Sequence, residues 1–366
     1  MRIDRYWKRA AAGLLTAMTL MTTGGVPESF AMTDSRPFAA QGQTLSSPDR
    51  IIIKEESQSG QEAAGSTAGI PVVQAKAEIA AFGAVSTPVT DSGSMFGAGR
   101  LTMLANHATS AQQLSVIIET GEGGLIVVDG GWTTSADYLL EQIKQKGGHV
   151  QAWLLTHPDS DHVGALADIL YKHSQEITID GVYYSFAPDS WYAEKDQDVA
   201  NMLGYLKGAL ALLPPEKLHG DIVSGQVINA GPAKIQVLNQ AYQCNSDFVN
   251  NSSATYMVSL NGTNTVFLGD LAKAGGEQLM AEHDLSALKC DIVQLSHHGQ
   301  NGVDYEVYKA LKPKVALWPT PQWLWDNDNG NGAESGPWLT QQTKNWMVRL
   351  GVKTNFCIKD GDQVIE

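Results

Sequence analysis

Two stretches of this 366-residue chain run through the same order of elements. In the first, residues 114–119 read as a strand, Gly121-Glu122-Gly123-Gly124 as a turn, and residues 125–129 as a second strand ending in Asp129. Helical periodicity follows over 135–146 and stops at Gly147-Gly148; a third strand then runs out to Thr156-His157. In the second stretch, 256–260 is a strand, Asn261-Gly262 a hairpin turn, and 265–268 a strand leading into Gly269-Asp270. A helix over 274–282 and a strand over 291–295 lead to Ser296-His297-His298-Gly299. The Asp-to-His separation is 28 residues in one copy and 27 in the other. A repeated strand, turn, strand, helix, strand unit predicts two sheets with helices outside them. It also predicts that the Asp and His ends of both copies converge at the sheet edge.

The first copy ends in Thr156-His157-Pro158-Asp159-Ser160-Asp161-His162. Two imidazoles and two carboxylates lie there on one turn, between an apolar strand and a helix read over 163–170. Four metal-capable side chains on one tight turn are hard to explain as surface decoration. A hydrolytic site with two cations needs such a mixture of nitrogen and oxygen donors, with positions left open for water and substrate.

The rest of the chain bounds where that site works. Arg2, Arg5, Lys8 and Arg9 precede a short apolar stretch over 10–22, and Ser29-Phe30-Ala31 offers small residues at a cleavage site. Residues 1–31 therefore read as an export signal, with an uncleaved membrane anchor as the alternative. No other segment is long enough to cross a bilayer as a helix. Residues 32–93 are rich in Ser, Gln, Ala, Gly and Thr and read as a flexible linker, leaving 94–366 as the folded domain. Without residues 1–31 the chain would carry 21 basic and 37 acidic residues, a net charge of −16. That disfavours a broad electrostatic grip on nucleic acid or anionic lipid, though not an anionic substrate held through cations. Cys244, Cys290 and Cys357 form no CxxC pair; Cys290 and Cys357 sit in apolar strand-like segments and read as buried thiols.

The His-x-Asp-x-Asp-His motif, with Val128-Asp129-Gly130-Gly131 before it and Gly269-Asp270 and His297-His298-Gly299 after it, resembles the metallo-β-lactamase superfamily over about residues 95–366. Asp159 stands where that family has its second histidine. This variant, with Ser296-His297-His298-Gly299, looks most like the ComEC-type competence hydrolase domain and its free-standing relatives. The resemblance implies an α/β fold, a four-layer αβ/βα sandwich with an internal pseudo-two-fold repeat, and two divalent cations, zinc or manganese. By position, His157 and Asp159 would hold the first cation, Asp161 and His162 the second, and Asp270 would bridge. His297, the repeat counterpart of His157, would complete the second site and leave His298 for substrate or proton transfer; the two histidines exchanged is the alternative. The family's further histidine before the bridging Asp is missing. His173 and His219 lack its context, and the matching stretch is Asn250-Asn251-Ser252-Ser253, with Asn251 as a weak ligand or a substrate contact. Asp129 would support the metal-binding turn.

These expectations make the chain a secreted or cell-envelope metallo-hydrolase. It would act on a phosphodiester in a small molecule, a nucleic acid or a wall polymer, with Asp161, His298 and Asn251 as catalytic candidates. A teichoic acid or phosphorylcholine esterase is one alternative; a non-catalytic envelope binding protein on a degenerate scaffold is another. Trp318, Trp323 and Trp325 read either as a stacking loop over the site or as core, and the Asp/Asn/Gly run over 326–332 as a polar turn.

Overall fold

The structure, a computed structural model, describes residues 94–366. The expected signal and linker lie outside the described residues. The first half begins with antiparallel strands β1 (Arg100–Met103), β2 (Ser115–Glu119) and β3 (Leu125–Asp129). Helix α1 (Ala136–Gln145) then crosses over to β4 (His149–Leu154), which lies parallel to β3. Helix α2 (Ser160–His173), short strands β5 (Thr178–Ile179) and β6 (Val182–Tyr183), helices α3 (Asp189–Lys195) and α4 (Gln197–Leu210), and β7 (Leu218–His219) complete this half. The second half repeats the scheme. Antiparallel β8 (Val227–Ala230) and β9 (Ala233–Asn239) lead through a one-turn helix α5 (Phe248–Asn251) to the hairpin β10 (Thr255–Leu260) and β11 (Thr263–Phe267). Helix α6 (Lys273–Glu282) crosses to parallel β12 (Ile292–Gln294), and α7 (Tyr305–Leu311) crosses to β13 (Val315–Trp318). Helices α8 (Gln322–Trp325) and α9 (Thr340–Arg349) precede β14 (Thr354–Cys357), and β15 (Gln363–Ile365) returns to pair with β1.

The sheets have orders β15-β1-β2-β3-β4-β6-β7 and β14-β13-β12-β11-β10-β9-β8, with β5 attached to β4. Each is antiparallel on one side and parallel on the other, as a two-fold repeat requires. Period-two alternation sorts the side chains between two cores. From the first sheet, Ile126, Val128 and Leu154 face inward; from the second, Val237, Tyr256 and Phe267 meet them between the sheets. The alternate residues Leu125, Val127 and Trp153 face outward and pack under α1, α2 and α4 through Leu139, Val163 and Leu206. The second sheet's outer face buries Val266, Val293 and Trp318 in the same way. The result is helix, sheet, sheet, helix, the four-layer sandwich expected from the repeat.

The strand ends β3, β4, β11 and β12 meet at one edge. Gly269, at φ 56°, makes that approach possible, because a Cβ there would sit 2.8 Å from both Ser253 Oγ and Thr156 Cβ. All three cysteines are free, and Cys290 and Cys357 are buried. Among the described residues no helix is long and apolar enough to cross a membrane.

Candidate metal centre

Helix α2 starts at Ser160, three residues earlier than its periodicity suggests, so Asp161 and His162 lie in its first turn. Both are buried, as are His157, Asp270 and His298. Asp270 Oδ2 lies 3.3 Å from His162 Nε2 and 3.2 Å from His298 Nε2. Asp161 Oδ2 lies 3.1 Å from His298 Nε2 and 4.0 Å from His162 Nε2. Asp159 Oδ2 lies 3.3 Å from His157 Nε2 at the more exposed end of the cluster. Two overlapping groups of potential ligands result: His157, His162 and Asp270; and Asp161, His162 and His298.

The outer nitrogens of the imidazoles decide what the inner ones can do. His162 Nδ1 donates to Asp129 Oδ2 at 2.7 Å. His298 Nδ1 donates to Pro319 O at 3.1 Å. Thr156 gives its own hydroxyl proton to Asp129 Oδ2, so its oxygen is free to accept from His157 Nδ1 at 3.0 Å, beside Ser253 Oγ at 3.2 Å. In each neutral ring the proton is thus on Nδ1 and the lone pair on Nε2 points into the cluster. His157 Nε2, His162 Nε2, His298 Nε2, Asp159 Oδ1 and Asp270 Oδ1 are buried and make no hydrogen bond. Buried polar atoms are normally satisfied, so these five orphans fit cations as their missing partners.

Without cations these groups hold one another's charge. Burial disfavours the charged form of His298, but the facing carboxylates of Asp270 and Asp161 outweigh it and carry its pKa to about 9. His162 is raised well above the usual imidazole range in spite of burial, first by Asp270 and then by Asp129. Burial would raise Asp270, yet His162 and His298 hold it well below the usual carboxylate range. Asp161 is lowered by the same two imidazoles against the same opposition.

Residues 108–227 match the model of the metallo-beta-lactamase superfamily. ComE operon protein 3 of Bacillus subtilis (strain 168) is 27% identical over 170 residues, 46% of this chain and 20% of that protein. The chain thus matches about a fifth of the length of that curated relative. Among solved structures, the metallo-beta-lactamase fold protein YhfI from Bacillus subtilis aligns over 73% of this chain and 99% of its own, with 12% identity and a TM-score of 0.45. CmlA, a diiron beta-hydroxylase from Streptomyces venezuelae, aligns over 73% of this chain and 54% of its own, with 12% identity and a TM-score of 0.47. The chain has the metallo-β-lactamase fold.

Within that fold two sequence expectations need correction. His298, and not His297, enters the cluster. Their backbones are both left-handed, with φ of 50° and 55°, and the turn swings His297 out so that its Nδ1 faces Asn301 O at 3.4 Å. Asn251 is engaged by backbone groups instead. Its Oδ1 accepts from the backbone of Ala272 and Gly275 at 3.0 and 2.8 Å, capping the start of α6. Its Nδ2 donates to Ser246 O at 2.8 Å. His173 pairs with Glu176 and His219 stacks on Tyr183, so neither supplies the family's missing histidine.

Several supporting residues gave no sequence signal. Ser253 accepts from the backbone N–H of Asp270 at 3.0 Å while touching His157. Thr320 Oγ1 donates to His298 O at 2.6 Å. Gln112 Nε2 donates to Asp161 Oδ2 at 3.2 Å. Of the tryptophan segment, Trp318 is core, while Trp323 is partly exposed and donates to Ser110 O at 2.8 Å. In the polar run, Asp328 Oδ1 accepts from the backbone N–H groups of Gly330 and Gly332, which makes it a self-satisfied turn.

Proposed function

We propose that this chain is an exported phosphodiesterase that works with two divalent cations, manganese or zinc. The observation that carries the reading is the set of three orphaned Nε2 atoms facing the carboxylates of Asp159, Asp161 and Asp270, with every outer imidazole nitrogen already committed. His157 and Asp159 would hold the first cation, Asp161, His162 and His298 the second, and Asp270 would lie between them. Bound cations would supply an activated water and neutralise charge on phosphoryl oxygens. The chain's own residues fix the rest. Asp129 and Thr156 orient His162 and His157, and Pro319 orients His298. His297, half-buried and outside the cluster, keeps its Nε2 for the substrate.

Three carboxylates among six donors, with Asp159 at the family's second histidine, favour phosphodiester over β-lactam hydrolysis. The acidic chain fits a substrate held through cations and not through a basic surface. The test is a panel of bis-p-nitrophenyl phosphate, DNA and wall-polymer phosphodiesters with manganese or zinc, run beside Asp161→Ala. Cleavage of at least one substrate by the wild type alone supports the reading; equal inactivity of both proteins sinks it. Within the panel, turnover confined to wall polymers would select the teichoic acid or phosphorylcholine esterase reading. The commitment of Asn251 to α6 leaves the first cation with few protein donors, and this favours one rival, a non-catalytic binding protein. Cation quantification separates the two: about two per chain supports catalysis and none supports binding. Export rests on residues 1–31 and is checked by the N-terminus of protein recovered from the culture medium.

A further inference from the structure

The loop between β1 and β2 is fastened along its whole length. Ala105 N and His107 Nε2 both meet Asp362 Oδ1 at 2.8 Å. Trp323 Nε1 donates to Ser110 O at 2.8 Å, and Trp132 Nε1 donates to Gln112 O at 2.6 Å. Ser135 Oγ donates to Gln113 Oε1 at 2.6 Å, and Leu114 N donates to Asp161 O at 3.2 Å. None of these contacts uses the Gln112 side chain. The loop therefore delivers that side chain to one place, and its Nε2 donates to Asp161 Oδ2. This is the oxygen that also faces His298 Nε2 at 3.1 Å.

We propose that Gln112 is a positioning residue for the second cation, acting through Asp161. The proposal rests on the two-cation reading of the site. A carboxylate oxygen has two lone-pair directions. An amide N–H that takes one leaves the other for a cation and locks the carboxyl group in a single orientation. A neutral donor does this without adding a positive charge that would compete with the cation. Because the loop backbone is held by other groups, losing the Gln112 side chain frees Asp161 without freeing the loop. Donors behind a ligand are typically worth 10- to 100-fold in metal affinity.

The test is calorimetric titration of metal-free full-length protein with manganese, and separately with zinc. Wild type is compared with Gln112→Met, which keeps length and volume but has no donor, and with Gln112→Ala. His298→Ala identifies which binding step belongs to the second cation. The expected result is that this step weakens by about 10- to 100-fold in both Gln112 variants while the first step stays within about twofold. Both steps unchanged would overturn the proposal. So would both steps weakening together with a lowered thermal midpoint of the metal-free protein, because Gln112 would then support the fold and not the site. The titration needs no substrate. A wild type that binds two cations but cleaves no phosphodiester sinks the functional reading alone, and a wild type that binds none sinks both.

Discussion

His297, His298 and Gly299 form three successive left-handed residues, with φ of 50°, 55° and 76°. For the two histidines this conformation costs on the order of 1–3 kcal/mol each. The turn persists because Pro319 and Thr320 grip His298 at both its ring and its carbonyl. His298→Ala should therefore lose one of two cations, whereas His297→Ala should keep both and lose turnover; elemental analysis beside kinetics checks the pair. Asp129 accepts from Thr156 N, Thr156 Oγ1 and His162 Nδ1, all at 2.7–2.8 Å. Asp129→Asn should weaken cation binding by about 10- to 100-fold, measured by competition with a chromophoric chelator. The motif residues were legible in the sequence because their types and spacing are the chemistry. The choice between His297 and His298 was not. Counting residues along a repeat fixes position, while the direction of a side chain in a left-handed turn depends on contacts with Pro319 and Thr320, just after β13.

At the scale of elements, the repeat was readable because glycine or asparagine follows the first two strands of each copy, a Thr-His or Ser-His pair follows the third, and a helical stretch lies between. Boundaries moved where side chains took over from periodicity. Helix α2 begins at Ser160 because Asp159, in extended conformation, supplies the carbonyl to which His162 and Val163 donate. The use of Asn251 was hidden for the same reason. It sits in α5 and caps α6, twenty-one residues away in sequence, so no local pattern marks it. Gly275 allows the close approach, since a Cβ there would lie 2.6 Å from Asn251 Oδ1. Asn251→Ala leaves two buried backbone N–H groups without partners and should cost about 1–3 kcal/mol in denaturant unfolding. Cation stoichiometry should stay at the wild-type value, which distinguishes a cap from a ligand.

Across the whole molecule, the metal-free state is held together partly by charge. The folded-state pKa of His298, about 9, exceeds the unfolded imidazole value of about 6.5. Its contribution to stability is therefore complete below about pH 6.5 and fades as pH rises through 9. The thermal midpoint of chelator-treated protein should fall between pH 7 and 9.5. Cation-loaded protein should fall less, because cations replace protons at Nε2. At a free cation concentration 100 times Kd, each site should add about 2.7 kcal/mol of stability. The commitment of Asn251 to a helix cap reaches further. On the proposed assignment the first cation has only His157, Asp159 and a share of Asp270, so a phosphoryl oxygen can complete its coordination. Binding of cation and substrate is then linked, and linkage is reciprocal: each must tighten the other by the same factor. Such a centre would respond to cation and substrate together, as a coincidence detector for the two.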